Sequence, residues 1–177
     1  MKKLVFDVES IGLHGEGFAV GYIILDDGVV CAQYHASCPI DTSAGADSDR
    51  EWVKANVSTE GSMLLNNPRE LRDWFWKVIQ EVKAEGGQVW TDCNWPVESN
   101  FLSACVADDP ETRRWQGPYP LFDVSNLILA SGLDPLESFP RLPDELPAHH
   151  ALNDARQSAR LLKESIEWLT ERGVNIK

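Results

Sequence analysis

An apolar run near the start of the chain, Leu4-Val5-Phe6, leads into two carboxylates two residues apart, Asp7 and Glu9. On a β-strand, positions i and i+2 face the same way, so the two acids converge. A buried strand that ends in converging acids needs something to neutralise them, because an unpaired charge away from water is costly. The alternative is a solvated strand end, for which an Asp-x-Glu is common. The apolar residues ahead of Asp7 favour the buried reading, and residues 2–7 read as a first strand.

The following runs set the order of elements. Phe18 to Leu25 and Val29 to Ala36 are β-rich, and the Asp26-Asp27-Gly28 between them is a hairpin signal. An antiparallel meander of three strands results. Residues 39–65 are polar and irregular, interrupted by a short helix around Ser48 to Ala55. Asn67-Pro68 opens a longer helix, with Asn67 as cap and Pro68 at the first helical position. Leu71, Trp74, Phe75, Val78, Ile79 and Val82 recur at helical spacing until Gly86-Gly87. Gln88 to Thr91 reads as a fourth strand and Val97 to Val106 as a helix. Leu121-Phe122-Asp123 reads as a short fifth strand before a helix from Val124 to Ala130. A Pro-rich surface connection, Asp134 to Pro147, precedes a last helix from Ala151 to Glu171 with Leu152, Ala155, Ala159, Leu162, Ile166 and Leu169 on its apolar face. The order βββαβαβα predicts an α/β domain with a mixed sheet and helices on its faces. A chain of 177 residues is most simply one such domain, residues 1–177.

Charge narrows the partners. The net charge is −12, whereas a protein that clamps duplex nucleic acid electrostatically is usually basic. Acidity suits an enzyme whose bound cations supply the local positive field. Cys31, Cys38, Cys93 and Cys105 form no C-x-x-C pair and have no zinc-finger spacing. They read as free, buried thiols in a reducing cytoplasm. No stretch approaches the ~18 apolar residues of a membrane span. Asp7 and Glu9 cut the first apolar stretch short of a signal-peptide core. The expected location is cytoplasmic, with no membrane partner.

His149-His150-Ala151-Leu152-Asn153-Asp154 opens the last helix. His149 and Asp154 are five apart and would not share a face of one helix. With His149 in the preceding loop, its ring can turn back over the acids. Read alone, this is an exposed helix start with a first-turn acid facing the helix dipole. Read together with Asp7 and Glu9, it is equipment for metal-assisted hydrolysis of a phosphodiester: carboxylates hold divalent cations and a histidine serves as general base.

Together the two stretches resemble motifs of the DEDDh (DnaQ-like) 3′-to-5′ exonucleases, a family that includes RNase T and oligoribonuclease. The family's first motif is a strand ending Asp-x-Glu, then a small hydroxyl residue, one further residue and Gly-Leu. This chain has Asp7-Val8-Glu9-Ser10-Ile11-Gly12-Leu13. The last motif, His-x-Ala-x-x-Asp, is matched by His149 to Asp154. The middle motif departs. Where the family has Asn, three residues and Asp, this chain has Asn94-Trp95-Pro96-Val97-Glu98, followed by Ser99-Asn100-Phe101-Leu102. Glu98 is favoured as the equivalent acid because Asn94, Phe101 and Leu102 set the register, with Asp92 as the competitor. Asp123 reads as a helix cap.

The resemblance implies a ribonuclease-H-like fold, with a five-stranded mixed sheet, three strands antiparallel, flanked by helices. It implies that Asp7, Glu9, Glu98 and Asp154 hold two Mg²⁺ or Mn²⁺ ions and that His149 is the general base. Ser10, Gly12, Leu13 and His14 would lie at the terminal nucleotide. Trp95 would either stack on a base or pack within its loop. The expected substrates are single-stranded RNA or DNA 3′ ends, RNA slightly favoured, and the products nucleoside 5′-monophosphates. The rival is a nucleic-acid-binding or regulatory module on the same fold, its catalysis impaired by Glu98. A hydrolase of small nucleotides would use the same metal site behind a closed pocket. A homodimer is expected through the aromatic helix carrying Trp74, Phe75 and Trp76.

Overall fold

The computed structural model describes residues 1–176. Its strands are β1 (Lys2–Ser10), β2 (Gly17–Asp26), β3 (Val29–Ser37), β4 (Met63–Leu64), β5 (Gln88–Thr91) and β6 (Phe122–Asp123). Its α-helices are α1 (Asp47–Asn56), α2 (Pro68–Ala84), α3 (Ser99–Asp108), α4 (Pro110–Arg113), α5 (Val124–Ala130) and α6 (Ala151–Glu171). The strand order is β4-β3-β2-β1-β5-β6. β1, β2 and β3 form the antiparallel meander, and β5 and β6 extend the sheet in parallel from β1.

The sheet has six strands where the sequence predicts five. The addition is β4, which pairs in parallel with the end of β3 through Ala36 with Met63 and Ser37 with Leu64. Two residues are too few to show an alternating pattern, and they lie in the segment that reads as irregular. Backbone pairing at the open edge of β3 makes the strand, aided by the 2.6 Å hydrogen bond between the Ser37 and Ser62 hydroxyls.

β1 is central, and Leu4, Val5 and Phe6 are buried in succession because both faces of the sheet are covered. Leu4, Phe6 and Val8 pack into a cluster with Leu71, Phe75 and Ile79 of α2 and Phe101 of α3. On the other face Val5 packs with Ile23, Ile128 of α5, and Ala155 and Leu162 of α6. By the period-2 rule Asp7 and Glu9 share the face of Val5, the one that α6 covers.

The local signals work as read. Asn67 caps α2, its side-chain oxygen accepting from the Glu70 amide at 3.0 Å. Asp123 caps α5, accepting from the Asn126 amide at 3.3 Å and from the Ser125 hydroxyl. Of the aromatic surface of α2 on which the expected dimer rested, Phe75 and Trp76 are buried within the chain and Trp74 is half-buried. Trp76 is buried under the Arg113 guanidinium, 5.5 Å from its ring centre, and Trp74 lies 5.7 Å from the Tyr22 ring. The four cysteines are free, but only Cys38 and Cys105 are buried; Cys31 and Cys93 are exposed. No helix among the described residues is long and apolar enough to cross a membrane.

Candidate active site

β1 outruns β5. The two strands pair only from Lys3 with Gln88 to Phe6 with Thr91, after which the chain turns away at Asp92. Asp7 and Glu9 therefore project beyond the last β1–β5 pair, at the carboxyl ends of two parallel strands, where open α/β sheets form clefts. Asn94 holds the turned-out segment. Its amide donates to Asp123 Oδ2 at 3.0 Å, and its side-chain oxygen accepts from the Thr91 hydroxyl at 2.5 Å. Asn94–Glu98 form a wide turn that runs into α3, with Phe101 and Leu102 buried behind it. Glu98, 7% exposed, is delivered to the cleft from this junction.

The start of α6 brings the other half of the site. On β2, Gly21 is the partner of Asp7 across the ladder, and the first turn of α6 rests on it. A β-carbon at Gly21 would fall well inside contact distance of the Leu152 nitrogen and the Ala151 carbonyl. Only glycine allows this approach, and the approach sets Asp154 beside Asp7 and Glu9. An isolated glycine within a β-rich run is a signal of such contact, although the motif pattern alone does not include it. Gly21→Ala is expected to destabilise the fold by about 1–3 kcal/mol through overpacking. Thermal melting checks this as a Tm lowered by several degrees, with weaker metal binding.

One ligand atom each from Glu9, His149 and Asp154 lies within 4.8 Å of the others. Asp7, Glu9, Glu98, Asp154 and His149 line one cleft of about 260 Å³, with Asp92 also at its wall. His149 sits just ahead of α6 with φ +56° and packs edge-on against Trp52 of α1 at 5.4 Å. His150 is turned the other way, buried as the cap of α6. Its Nδ1 accepts from the Asn153 amide at 3.3 Å and its Nε2 lies 3.0 Å from the Glu60 carbonyl.

Crowded carboxylates hold their protons. Asp7 is pushed well up by burial first, then by Glu9, Asp154, Glu98 and Asp92. Glu9 is pushed up to about 8 by burial, then by Asp154 and Glu98, with Arg141 opposing. Glu98 rises to about 7 through burial, opposed by the backbone of Glu98 and Val8. Asp92 is raised by burial, Asp123 and Asp154. Glu98 acts on both Asp7 and Glu9, and Asp92 on Asp7 and Glu98. Clustered oxygen donors whose negative charge one arginine only partly offsets fit hard divalent cations.

A sign follows for stability. From about pH 4.5 to about 8 the folded chain keeps protons on Glu9, and to about 7 on Glu98, that an unfolded chain has lost. Without metal, stability should fall as pH rises through that window. Saturating Mn²⁺ should restore it, because binding to the folded state adds stability. Melting curves at pH 5.5 and 8.5, with EDTA and with Mn²⁺, test this. A metal-induced rise in Tm no larger at pH 8.5 than at pH 5.5 would contradict it.

The remaining residues proposed for substrate line an adjoining groove of about 800 Å³ that shares Glu9, Leu13 and His149 with the cleft. Ser10, Gly12, Leu13 and His14 all border it. The Ser10 hydroxyl donates to the Gly12 carbonyl at 2.6 Å, and Gly12 takes φ +66°, so this pair shapes the turn. Leu13 is 65% exposed and Trp95 68%, so Trp95 is not packed in its loop but stands at the cleft, 6.3 Å from the His14 ring. Trp52, half-exposed on the groove, and Arg141, beside Asp154, are the site residues that the sequence does not single out.

No family model matches the chain, and no curated protein sequence matches it. Solved structures do. Escherichia coli exonuclease I in complex with a dT13 oligonucleotide superposes with a TM-score of 0.68 at 14% identity, over 97% of this chain and 42% of that one. The zinc-bound form of an E. coli exonuclease I–single-stranded DNA complex gives 0.65 at 14% identity, over 97% and 40%. A moderately thermophilic exonuclease I from Methylocaldum szegediense gives 0.64 at 16% identity, again over 97% and 40%. The chain thus spans about two fifths of the length of these structures. What is shared at this identity is the fold, and it is that of exonuclease I, a DEDDh 3′-to-5′ exonuclease of the kind the motifs resemble.

Proposed function

We propose that the chain is a metal-dependent 3′-to-5′ exonuclease that trims single-stranded nucleic-acid ends and releases nucleoside 5′-monophosphates. The observation that carries this reading is the convergence of Asp7, Glu9, Glu98, Asp154 and His149 on one cleft at the carboxyl end of β1. Divalent cations, two Mg²⁺ or Mn²⁺ by the pattern of the family, supply the positive charge that a polyanionic substrate and its transition state need. Asp7, Glu9, Glu98 and Asp154 hold them. His149, oriented by its contact with Trp52, accepts the proton of the attacking water.

Substrate form follows from the groove. Leu13, Trp52 and Trp95 offer exposed apolar and aromatic faces, and stacking of an unpaired base on such a face is worth ~1–3 kcal/mol. His14 borders the same space, while Ser10 and Gly12 hold the turn that presents it. Paired bases offer no free faces, so single strands are the substrate. The E. coli structures hold dT13 and dA16 oligonucleotides, which puts DNA ahead of the RNA favoured from sequence. A binding module impaired at the middle acid is the weaker reading, because Glu98 still brings a carboxylate to the cleft.

The test uses 3′-labelled single-stranded DNA, single-stranded RNA and blunt duplex, each with Mg²⁺, Mn²⁺ or EDTA. Mononucleotides should appear from single-stranded ends with metal and not with EDTA. Activity that survives thorough chelation, or equal rates on blunt duplex, would sink the proposal.

A further inference from the structure

The Pro-rich connection between α5 and α6 sets one cation against the carboxylates. Arg141 donates from Nη1 to Asp154 Oδ1 at 2.5 Å and to the Glu145 carbonyl at 2.9 Å. Its segment is clamped on both sides. Glu145 is 2% exposed and receives Arg160 of α6 on both oxygens, at 2.6 and 3.0 Å, together with the Leu142 amide at 2.9 Å. Arg160 also donates to the Pro140 carbonyl at 2.9 Å. The residues before and after Arg141 are therefore tied to one ion pair, which fixes the backbone from which its side chain reaches Asp154.

No Lys or Arg is among the described residues that line the cleft or the groove. Arg141 borders a separate hollow of about 240 Å³ whose wall includes Asp92, so its tip has room to move beside the cleft. Two cations on one carboxylate repel each other, so a guanidinium on Asp154 weakens the hold of a divalent cation there, and the cation weakens the guanidinium's. Arg141 holds Asp154 through a single bond, and a planar guanidinium with five donors can exchange that bond for a bidentate grip on a phosphate.

We infer that Arg141 is a resident counter-ion that competes with divalent metal for Asp154 and, once displaced, holds the phosphate of the terminal nucleotide. The inference rests on reading the cleft as a metal-dependent nuclease site. It gives Arg141 two opposed effects: it weakens metal binding in the free protein and strengthens substrate binding in the metal-loaded one.

Calorimetric titration of Mn²⁺ into the substrate-free protein tests the first effect without any turnover. Arg141→Gln should bind Mn²⁺ about fivefold tighter than the parent, the scale of a modest ion pair removed. The second effect is read with a short single-stranded DNA carrying a phosphorothioate at its last linkage, in Ca²⁺. There Arg141→Gln should bind on the order of tenfold more weakly, as for one lost charge-assisted contact. A purely structural Arg141 would give the same sign in both titrations, because loosening the segment would weaken both. Mn²⁺ binding no tighter than the parent's, or oligonucleotide affinity unchanged, overturns the inference. Should Arg141→Gln fail to melt cooperatively, Arg141→Met takes its place, keeping the apolar stem without the charge, and it must still give tighter Mn²⁺ binding. Mn²⁺ binding that is absent in the parent, or left intact by Asp154→Asn, overturns the reading of the cleft and this inference with it. The parent's response therefore separates the two failures.

Discussion

Glu98→Ala is expected to lower turnover by on the order of 10³-fold, whereas Asp92→Ala keeps most of it. Charge stabilisation by a catalytic metal is worth several kcal/mol, and each 1.36 kcal/mol is tenfold in rate. Both acids reach the wall of the cleft. They differ in company. Both act on Asp7, but only Glu98 acts on Glu9, and Glu98 issues from a junction anchored by the buried Phe101 and Leu102. Asp92 lies where the chain leaves β5 and also borders the hollow beside Arg141. Glu98→Asp introduces the residue usual in the motif that this segment resembles and should retain activity, since either carboxylate can ligate a hard cation. Steady-state rates at saturating Mn²⁺ decide the ranking. A larger loss from Asp92→Ala than from Glu98→Ala would reverse the assignment.

His149→Ala should reduce kcat by the ~10²–10⁴-fold typical of a lost general base, with the melting temperature nearly unchanged. His150→Ala should do the opposite. His150 caps α6 and lies within hydrogen-bond reach of the Glu60 carbonyl, so its loss removes a cap and a buried polar contact together. Such losses cost about 1–2 kcal/mol each. The ring also lies 4.4 Å from that of His35, which burial pushes down to about 4, so His35 stays neutral at physiological pH and packs as a flat, uncharged neighbour. Activity per folded molecule of His150→Ala should remain within a few-fold of the parent. Melting curves read beside kcat separate the two histidines. A catalytic collapse in His150→Ala with unchanged stability would mean that the roles are exchanged.

Much of this molecule is legible in consecutive residues. The hairpin turn, the Asn67 and Asp123 caps, the span Gln88–Thr91 and the last helix from Ala151 to Glu171 follow from periodicity, capping and turn chemistry, which act within a few positions of the chain. The acids of the first and last motifs are legible for the same reason, since a strand end and a helix start each fix where their side chains point. Contacts between distant segments leave no such trace. β4 exists because the open edge of β3 pairs with two residues of an irregular stretch. Trp95 stands in the cleft because the chain turns out after β5, and Trp52 reaches His149 only because α1 packs beside the start of α6. Arg141 meets Asp154 through an ion pair, Glu145 with Arg160, that joins a proline-rich loop to a helix. Sequence determined which acids and which histidine stand at each end. The packing of α6 onto Gly21 decided that the ends meet, because backbone approach across a sheet depends on what another segment lacks, a side chain at one position, and not on any pattern of its own.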